Sequence, residues 1–296
     1  MFKKILIATD LSSAAFAVVK DLGKLKAYGA EEFLLLQCIG QRETDSFPDQ
    51  SAAETLNKNL KEQRKTLEGQ GFKAATRVVF GPAKKEICRI AEAEDFSLIV
   101  SGVESCSLLS EPFMGGAAYE IIHYCPRPVL LIRLEETRNN GITSYETVRG
   151  SFMEHILFPT DFSDTAAHAF DVVKMMVAQG TQKVTLMHVQ EQARIDPYLL
   201  QQLPQFNEKD EFRLNEMKAI LKGIADVEVD TVLFYGSPSR DILEAIEDRN
   251  VQLVVMGSQG RGYVKELFLG SVSHNIARRA KSSVLLIPPR KIGTAK

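Results

Sequence analysis

Gln252-Leu-Val-Val-Met256 runs directly into Gly257-Ser-Gln-Gly260-Arg-Gly262-Tyr-Val-Lys-Glu-Leu-Phe-Leu-Gly270-Ser271, and Val272 to Ala280 then reads as a helix. The apolar run is a buried strand, the spaced glycines let a backbone turn tightly and approach a ligand, and the helix start offers free N–H groups. A strand, a glycine loop and a helix start in that order form a natural anion site, usually for a nucleotide phosphate. An earlier stretch, Gly102 to Gly116, has the same layout with parts of the pattern changed.

Working outward, the chain proves to be one unit written twice. Ile5-Leu-Ile-Ala-Thr-Asp10-Leu-Ser12 matches Ile156-Leu-Phe-Pro-Thr-Asp161-Phe-Ser163. Gly81 to Gly102 matches Gly236 to Gly257, and Val129-Leu-Leu-Ile132 matches Val284-Leu-Leu-Ile287. Two copies with so little drift in spacing are two domains, set at 1–134 and 153–291. The polar stretch 135–152, with Asn139-Asn-Gly141, reads as a linker or strap.

Each copy alternates strands and helices. In the second, a strand at Ile156–Phe158 precedes a helix from about Asp164 to Gln179, with Ser163 as N-cap. Strands at Val184–Val189, near Val227–Phe234, at Leu253–Met256 and at Val284–Ile287 follow, separated by helices near Phe206–Leu221, after Gly236-Ser-Pro-Ser239, and at Val272–Ala280. Short apolar runs without alternation indicate strands buried on both faces. The fold class is therefore α/β: two tandem, open, mostly parallel five-stranded sheets with helices on both faces.

Composition bounds the partners. The 296 residues are 45% hydrophobic and 25% charged, with a formal net charge of −2. That fits a soluble globular protein with two cores, and gives no electrostatic reason to expect nucleic acid or a membrane as partner. No apolar run is long enough to span a bilayer or act as a signal peptide, so a cytoplasmic location is expected. Cys38, Cys88, Cys106 and Cys125 show neither a C-x-x-C pair nor a common zinc spacing, and no metal site is expected. They read as reduced, packed thiols, with Cys106 in the first glycine loop the candidate for any redox role.

The second glycine loop is not a P-loop, because no Gly-Lys-Ser/Thr follows the glycines, and its spacing and position differ from the Rossmann fingerprint. The spacing Gly257-x2-Gly260-x9-Gly270-Ser271 resembles the ATP-binding motif of the universal stress protein family. The opening Ile-Leu-Phe-Pro-Thr-Asp161, Leu186-Met-His-Val189, the Gly236-Ser-Pro turn and the closing Val-Leu-Leu-Ile-Pro288 extend that resemblance over nearly the whole chain. It implies the adenine nucleotide alpha hydrolase-like fold and an adenine nucleotide, ATP or AMP or ADP with or without Mg2+, as ligand. It places Pro159, Thr160 and Asp161 beside the adenine and ribose, Val189 against adenine, and Met256 and Gly257 on the ribose side. Gly260, Arg261, Gly270, Ser271 and Val272 then hold the phosphates. Read without the family, Asp161 is a carboxylate at a helix N-terminus, His188 a packed strand residue, and Arg261 with Lys265 a solvated loop face.

In the first copy Gly260 is matched by Ser105, and Gly270-Ser271 by Gly115-Gly116. Arg261, Lys265 and Glu266 give way to Glu104 and Glu111, so a net positive loop becomes negative and opposes a polyphosphate. The expectation is a nucleotide-binding stress-response or regulatory protein that holds its ligand mainly in the second domain. No catalytic residue is assigned; a slow ATPase or adenylyl-transfer enzyme is the alternative, alongside a scaffold for another ligand or an unknown protein partner through the first domain. A phosphoacceptor role at Asp10 or Asp161 lacks the acidic pair and lysine it requires. The domains are expected to pack as an internal pseudo-dimer through Val129–Ile132 and Val284–Ile287, with a homodimer as a further possibility.

Overall fold

A computed structural model describes residues 1–40, 50–104, 116–139, 142–148, 150–192, 203–260 and 269–290. The chain divides into two compact units, Met1–Val148 and Arg149–Lys296.

In the first unit the strands are β1 (Lys4–Ala8), β2 (Glu32–Ile39), β3 (Lys73–Phe80), β4 (Leu98–Glu104), β5 (Val129–Asn139) and β6 (Ile142–Thr147). The helices are α1 (Ser13–Asp21), α2 (Gln50–Gly69), α3 (Ala83–Ala93) and α4 (Gly116–Tyr124), with a 3-10 stretch at Leu22–Tyr28. Five strands lie parallel in the order β3-β2-β1-β4-β5, and β6 adds antiparallel to β5.

The second unit repeats the plan with β7 (His155–Pro159), α5 (Asp164–Ala178), β8 (Lys183–Glu191), α6 (Leu203–Lys222), β9 (Glu228–Gly236), α7 (Pro238–Asp248), β10 (Leu253–Gly257), α8 (Ser271–Arg279) and β11 (Ser283–Ile287). Its parallel order is β9-β8-β7-β10-β11. The chain builds outward from β7 to β9, then returns to the other side of β7 to lay down β10. That reversal opens a crevice beyond the carboxyl ends of β7 and β10, where ligands bind in such sheets.

Strands β7 and β10 are buried along their whole length, as their unbroken apolar runs require. Strands β3 and β9 stand last in the order of each unit; β3 has no buried residue, and β9 exposes Glu228, Phe234 and Tyr235. Their positions, with a neighbour on one side only, explain why Phe80 and Phe234 reach solvent. The stretch 135–152 carries regular structure: β5 runs on to Asn139 and pairs back with β6, Asn139 opposite Ile142. The Asn140-Gly141 step is a strong hairpin signal, and Thr143, Tyr145 and Thr147 supply the β-favouring side chains after it.

One turn recurs in both units and starts the first helix of each. Thr160 Oγ1 accepts from Phe162 N at 3.0 Å, Asp161 Oδ1 from Ser163 N at 3.0 Å, and Ser163 Oγ from Ala166 N at 3.2 Å. Thr9, Asp10 and Ser12 make the same three bonds to Leu11, Ser12 and Ala15. Phe162 and Leu11 take the left-handed backbone, φ 57° and 62°. Ser163 is thus the N-cap of α5, a role worth about 1 kcal/mol.

At the opposite end of the sheet His155 is buried, with Nδ1–H donating to Arg249 O at 3.1 Å and Nε2 accepting from Thr185 Oγ1 at 2.8 Å. Burial holds its pKa below the ordinary 6.5, outweighing the hydrogen bond to Arg249 O that favours the charged ring, and the nearby Lys183 charge acts in the same direction as burial. Folding therefore favours the neutral ring. The stability it contributes is whole above pH 6.5 and is lost as pH falls from there through the depressed value. Thermal melts between pH 7 and 5 should show His155→Gln losing less stability on acidification than wild type; parallel curves would remove His155 from the acid response.

Candidate functional site

A cavity of about 580 Å³ lies beyond the carboxyl ends of β7, β8 and β10, in the crevice that the strand order opens. Pro159, Thr160, Asp161, Val189, Met256, Gly257, Gly260, Gly270, Ser271 and Val272 all line it. Arg261 lies outside the described residues, as do Lys265 and Glu266.

The end of β7 and the loop after β10 meet through one close approach. Asp161 turns one carboxylate oxygen to Ser163 N. A Cβ on Gly260 would stand 2.6 Å from the other, Oδ2. A side chain at that position would require the Asp161 carboxylate or the loop to shift. Gly257 is nearly as confined, its Cβ position being 3.0 Å from Thr165 Cγ2. Gly270 differs: its φ is −75°, and its nearest neighbours would be 3.6 Å away, among them Gly260 N. Among the described residues there is room for a side chain at Gly270.

The loop returns to the strand through backbone bonds. Ser258 N donates to Ile287 O at 2.8 Å, and Gly270 N to Ser258 O at 2.7 Å. Gly270 is the N-cap of α8, and among the described residues no side chain caps the helix. The first-turn N–H groups, which have no partner within the helix, thus open on the cavity with the positive end of the dipole. Ser271 is exposed beside them. Buried Ser273 instead donates Oγ–H to Gly257 O at 2.9 Å and ties α8 to the end of β10.

The opposite wall comes from β8 and α6. His188 Nδ1–H donates to Thr160 O at 2.6 Å, fixing the ring, and its Nε2 faces Asp210 Oδ2 at 3.6 Å. Gln190 Nε2 donates to the same oxygen at 2.9 Å, while Arg213 sits 3.6 Å from Asp210 Oδ1. The ring of Phe162 is sandwiched between His188, centroids 4.7 Å apart, and the Arg213 guanidinium at 4.9 Å. The left-handed turn at Phe162 delivers the ring to that position. Lys209 and Phe206 from α6, with Pro238 and Ile242 from α7, complete the lining.

The α6 residues were not legible beforehand. Glu208-Lys-Asp-Glu-Phe-Arg213 reads as an exposed charged helix face, and nothing in its period marks Asp210 and Arg213 as turned toward a cavity. His188 is a packed strand residue, as its position in Leu186-Met-His-Val189 indicates, and it lines the cavity as well.

The first unit keeps the turn at Thr9–Ser12 but differs beyond it. Gln37 stands where His188 does, since Thr9 N bonds to Leu36 O as Thr160 N does to Met187 O. Strand β4 continues past Gly102, pairing Val103 with Arg133 and Glu104 with Leu134. A Cβ on Gly102 would lie 2.8 Å from Val18 Cγ2 and 3.2 Å from Leu134 Cδ1. Apolar side chains therefore crowd the strand end in this unit. Ser105, Glu111 and Gly115, where the glycine pattern changes, lie outside the described residues.

Comparison with known proteins gives the same repeat. The universal stress protein family model matches twice, at residues 1–133 and 153–288. Universal stress protein MJ0577 of Methanocaldococcus jannaschii is 32% identical over 150 residues, covering 45% of this chain and 93% of its own length. The crystal structure of a universal stress protein from Archaeoglobus fulgidus covers 98% of this chain and 100% of its own, with 24% identity and a TM-score of 0.72; it shares the fold. A universal stress protein in complex with cAMP matches 46% of this chain and 98% of its own, at 22% identity and a TM-score of 0.37. Among the described residues, no helix is long and apolar enough to cross a membrane.

Proposed function

This chain belongs to the universal stress protein family, and on that premise we propose that its second unit binds an adenine nucleotide as a regulatory ligand in the stress response. The observation that carries the reading is that the N-terminus of α8, without a side-chain cap among the described residues, opens on the same cavity as Asp161 and the end of β8. The phosphates lie on the first-turn N–H groups and the Ser271 hydroxyl. Ribose hydroxyls donate to Asp161, and the base lies against Val189 with Met256 beneath the sugar. Each charge-assisted bond to phosphate is worth about 1.5–3 kcal/mol, so two or three suffice for micromolar affinity.

Retention fits this site better than turnover. The groups nearest the phosphates that could serve as acid or base already hold the fold: Ser273 bonds Gly257 O, and Asp161 holds the turn at Ser163. Preference for the second unit rests on the opposite sign of the loop residues, Glu104 and Glu111 in the first against Arg261 and Lys265 in the second.

Calorimetric titration of the full chain with ATP should give a single site per chain. Ser271→Asp tests it without loss of fold, because a carboxylate at a helix N-terminus favours the helix and repels phosphate. Its ligand-free melting temperature should match or exceed wild type while ATP affinity falls roughly tenfold or more, about 1.4 kcal/mol. Equal affinity in the two proteins would move the phosphates elsewhere, and two equal sites would refute the preference for the second unit.

A further inference from the structure

Gln190 has one end of its amide bonded and the other in want of a donor. It stands beside Val189 at the end of β8, is only 6% exposed and lines the cavity. His188 and Gln190, two apart on the strand, share one face of the sheet, and both reach Asp210 of α6. Gln190 Nε2 donates to Asp210 Oδ2 at 2.9 Å. A carboxylate only accepts hydrogen bonds, so this contact fixes which end of the amide is which. The carbonyl oxygen, Oε1, is shut off from solvent and has no donor among the described residues. A buried acceptor without a donor is a cost to the ligand-free protein, and a ligand that brings a donor removes it.

The orientation of the amide is firmly held. Arg213 Nη1 at 3.6 Å and His188 Nε2 at 3.6 Å approach the same Asp210 carboxylate, so groups from β8 and α6 keep it in place under Gln190. The repeat shows that the fold itself does not ask for an amide here. Thr9 N bonds to Leu36 O as Thr160 N does to Met187 O, which sets Ile39 at the place of Gln190. An apolar side chain therefore serves at the end of β2, and the second unit has a polar group where the base of a nucleotide is placed.

We propose that Gln190 selects the base, its Oε1 accepting a hydrogen bond from the 6-amino group of adenine; this rests on the nucleotide site proposed above, with the base against Val189. The terminal torsion of a glutamine is soft, so a small turn presents Oε1 to the cavity while Nε2 stays on Asp210. A purine with oxygen at C6 sets one acceptor against another. The amide cannot reverse to offer its NH2, because Oε1 would then face the Asp210 carboxylate. Selection thus comes from a repulsion as well as a bond, and Asp210 is the positioning residue behind it.

Titration calorimetry on the full chain compares ATP with ITP, which has the same ribose and triphosphate but carries oxygen at C6. Wild type should bind ATP about tenfold or more tighter than ITP. Gln190→Met, similar in length and without the amide, should weaken ATP and bring the two within about threefold of each other. Asp210→Asn should narrow the ratio from the other side: its amide can donate as well as accept, so Gln190 is released to turn and ITP gains. Melting curves of the ligand-free variants identify those that fold, and the ratio is read on either one. Ser271→Asp should weaken both nucleotides equally and keep the ratio, which separates the phosphate end from the base end. Equal binding of ATP and ITP to wild type, or an unchanged ratio in folded Gln190→Met or Asp210→Asn, would overturn the proposal and leave the nucleotide site standing. Failure of wild type to bind either nucleotide would overturn the site itself, and base selection with it.

Discussion

Gly260→Val is expected to abolish ATP binding, lowering affinity by about a hundredfold or more, the loss of about 2.7 kcal/mol. The first added carbon would lie 2.6 Å from Asp161 Oδ2, well inside contact distance, and the valine methyls extend further into the cavity. Either the carboxylate leaves its bond to Ser163 N or the loop leaves the strand end. Both responses separate groups that converge on the proposed nucleotide site, since Asp161 can relieve the contact only by turning its carboxylate away from the loop. Gly270→Ala is the informative companion. Among the described residues its methyl meets nothing closer than 3.6 Å, so the ligand-free fold should be unchanged, but it stands beside Gly260 N and narrows access to the proposed phosphate site. Calorimetry on both variants, with melting curves as controls, separates the effects. Wild-type affinity in folded Gly260→Val would mean that the nucleotide does not use this loop.

Phe158→Ala carries the largest expected loss of stability, about 3–5 kcal/mol. Its ring is fully buried in β7, which is paired on both sides by β8 and β10, and it packs on Phe170 of α5 with centroids 5.6 Å apart. Removing it leaves a cavity where the sheet meets its covering helix, and backbone pairing on both edges prevents collapse. Against a typical domain stability of about 5–15 kcal/mol, that is a large fraction. Urea unfolding should show an earlier midpoint for the transition that includes the second unit, with the slope preserved. A shift under about 1 kcal/mol would show that the strand can close over the gap. Because Phe158 lies two residues before Thr160, weakened ATP binding at temperatures below the melt is expected to accompany the change.

The sequence made some of this plain and hid the rest for physical reasons. The succession of strands and helices in the second unit followed from residues that have few alternatives, Ser163 at a helix start and Val-Val-Met inside a sheet, whereas the residues that line the cavity were indicated by the family resemblance of the glycine loop. The hairpin at Asn139–Ile142 was masked by its polarity, although its Asn-Gly step is a strong turn signal. Asp210 and Arg213 were hidden more thoroughly. A charged side chain facing a polar cavity and one facing solvent obey the same period, so only the tertiary placement of α6 tells them apart. Ser273 shows the converse: a hydroxyl two residues into the glycine-loop helix invites a ligand role, and its bond to Gly257 O gives it to the scaffold.

The left-handed residue after each strand-end aspartate separates what the turn holds fixed from what it leaves free. Leu11 and Phe162 both hold a backbone that disfavours residues with a Cβ by about 1–2 kcal/mol, and glycine would relieve it. Phe162 has the His188 ring beside it, whereas at the matching place in the first unit stands Gln37. One bend thus serves two different surroundings: the backbone is common to both units, and the side chain it carries sets what each strand end presents.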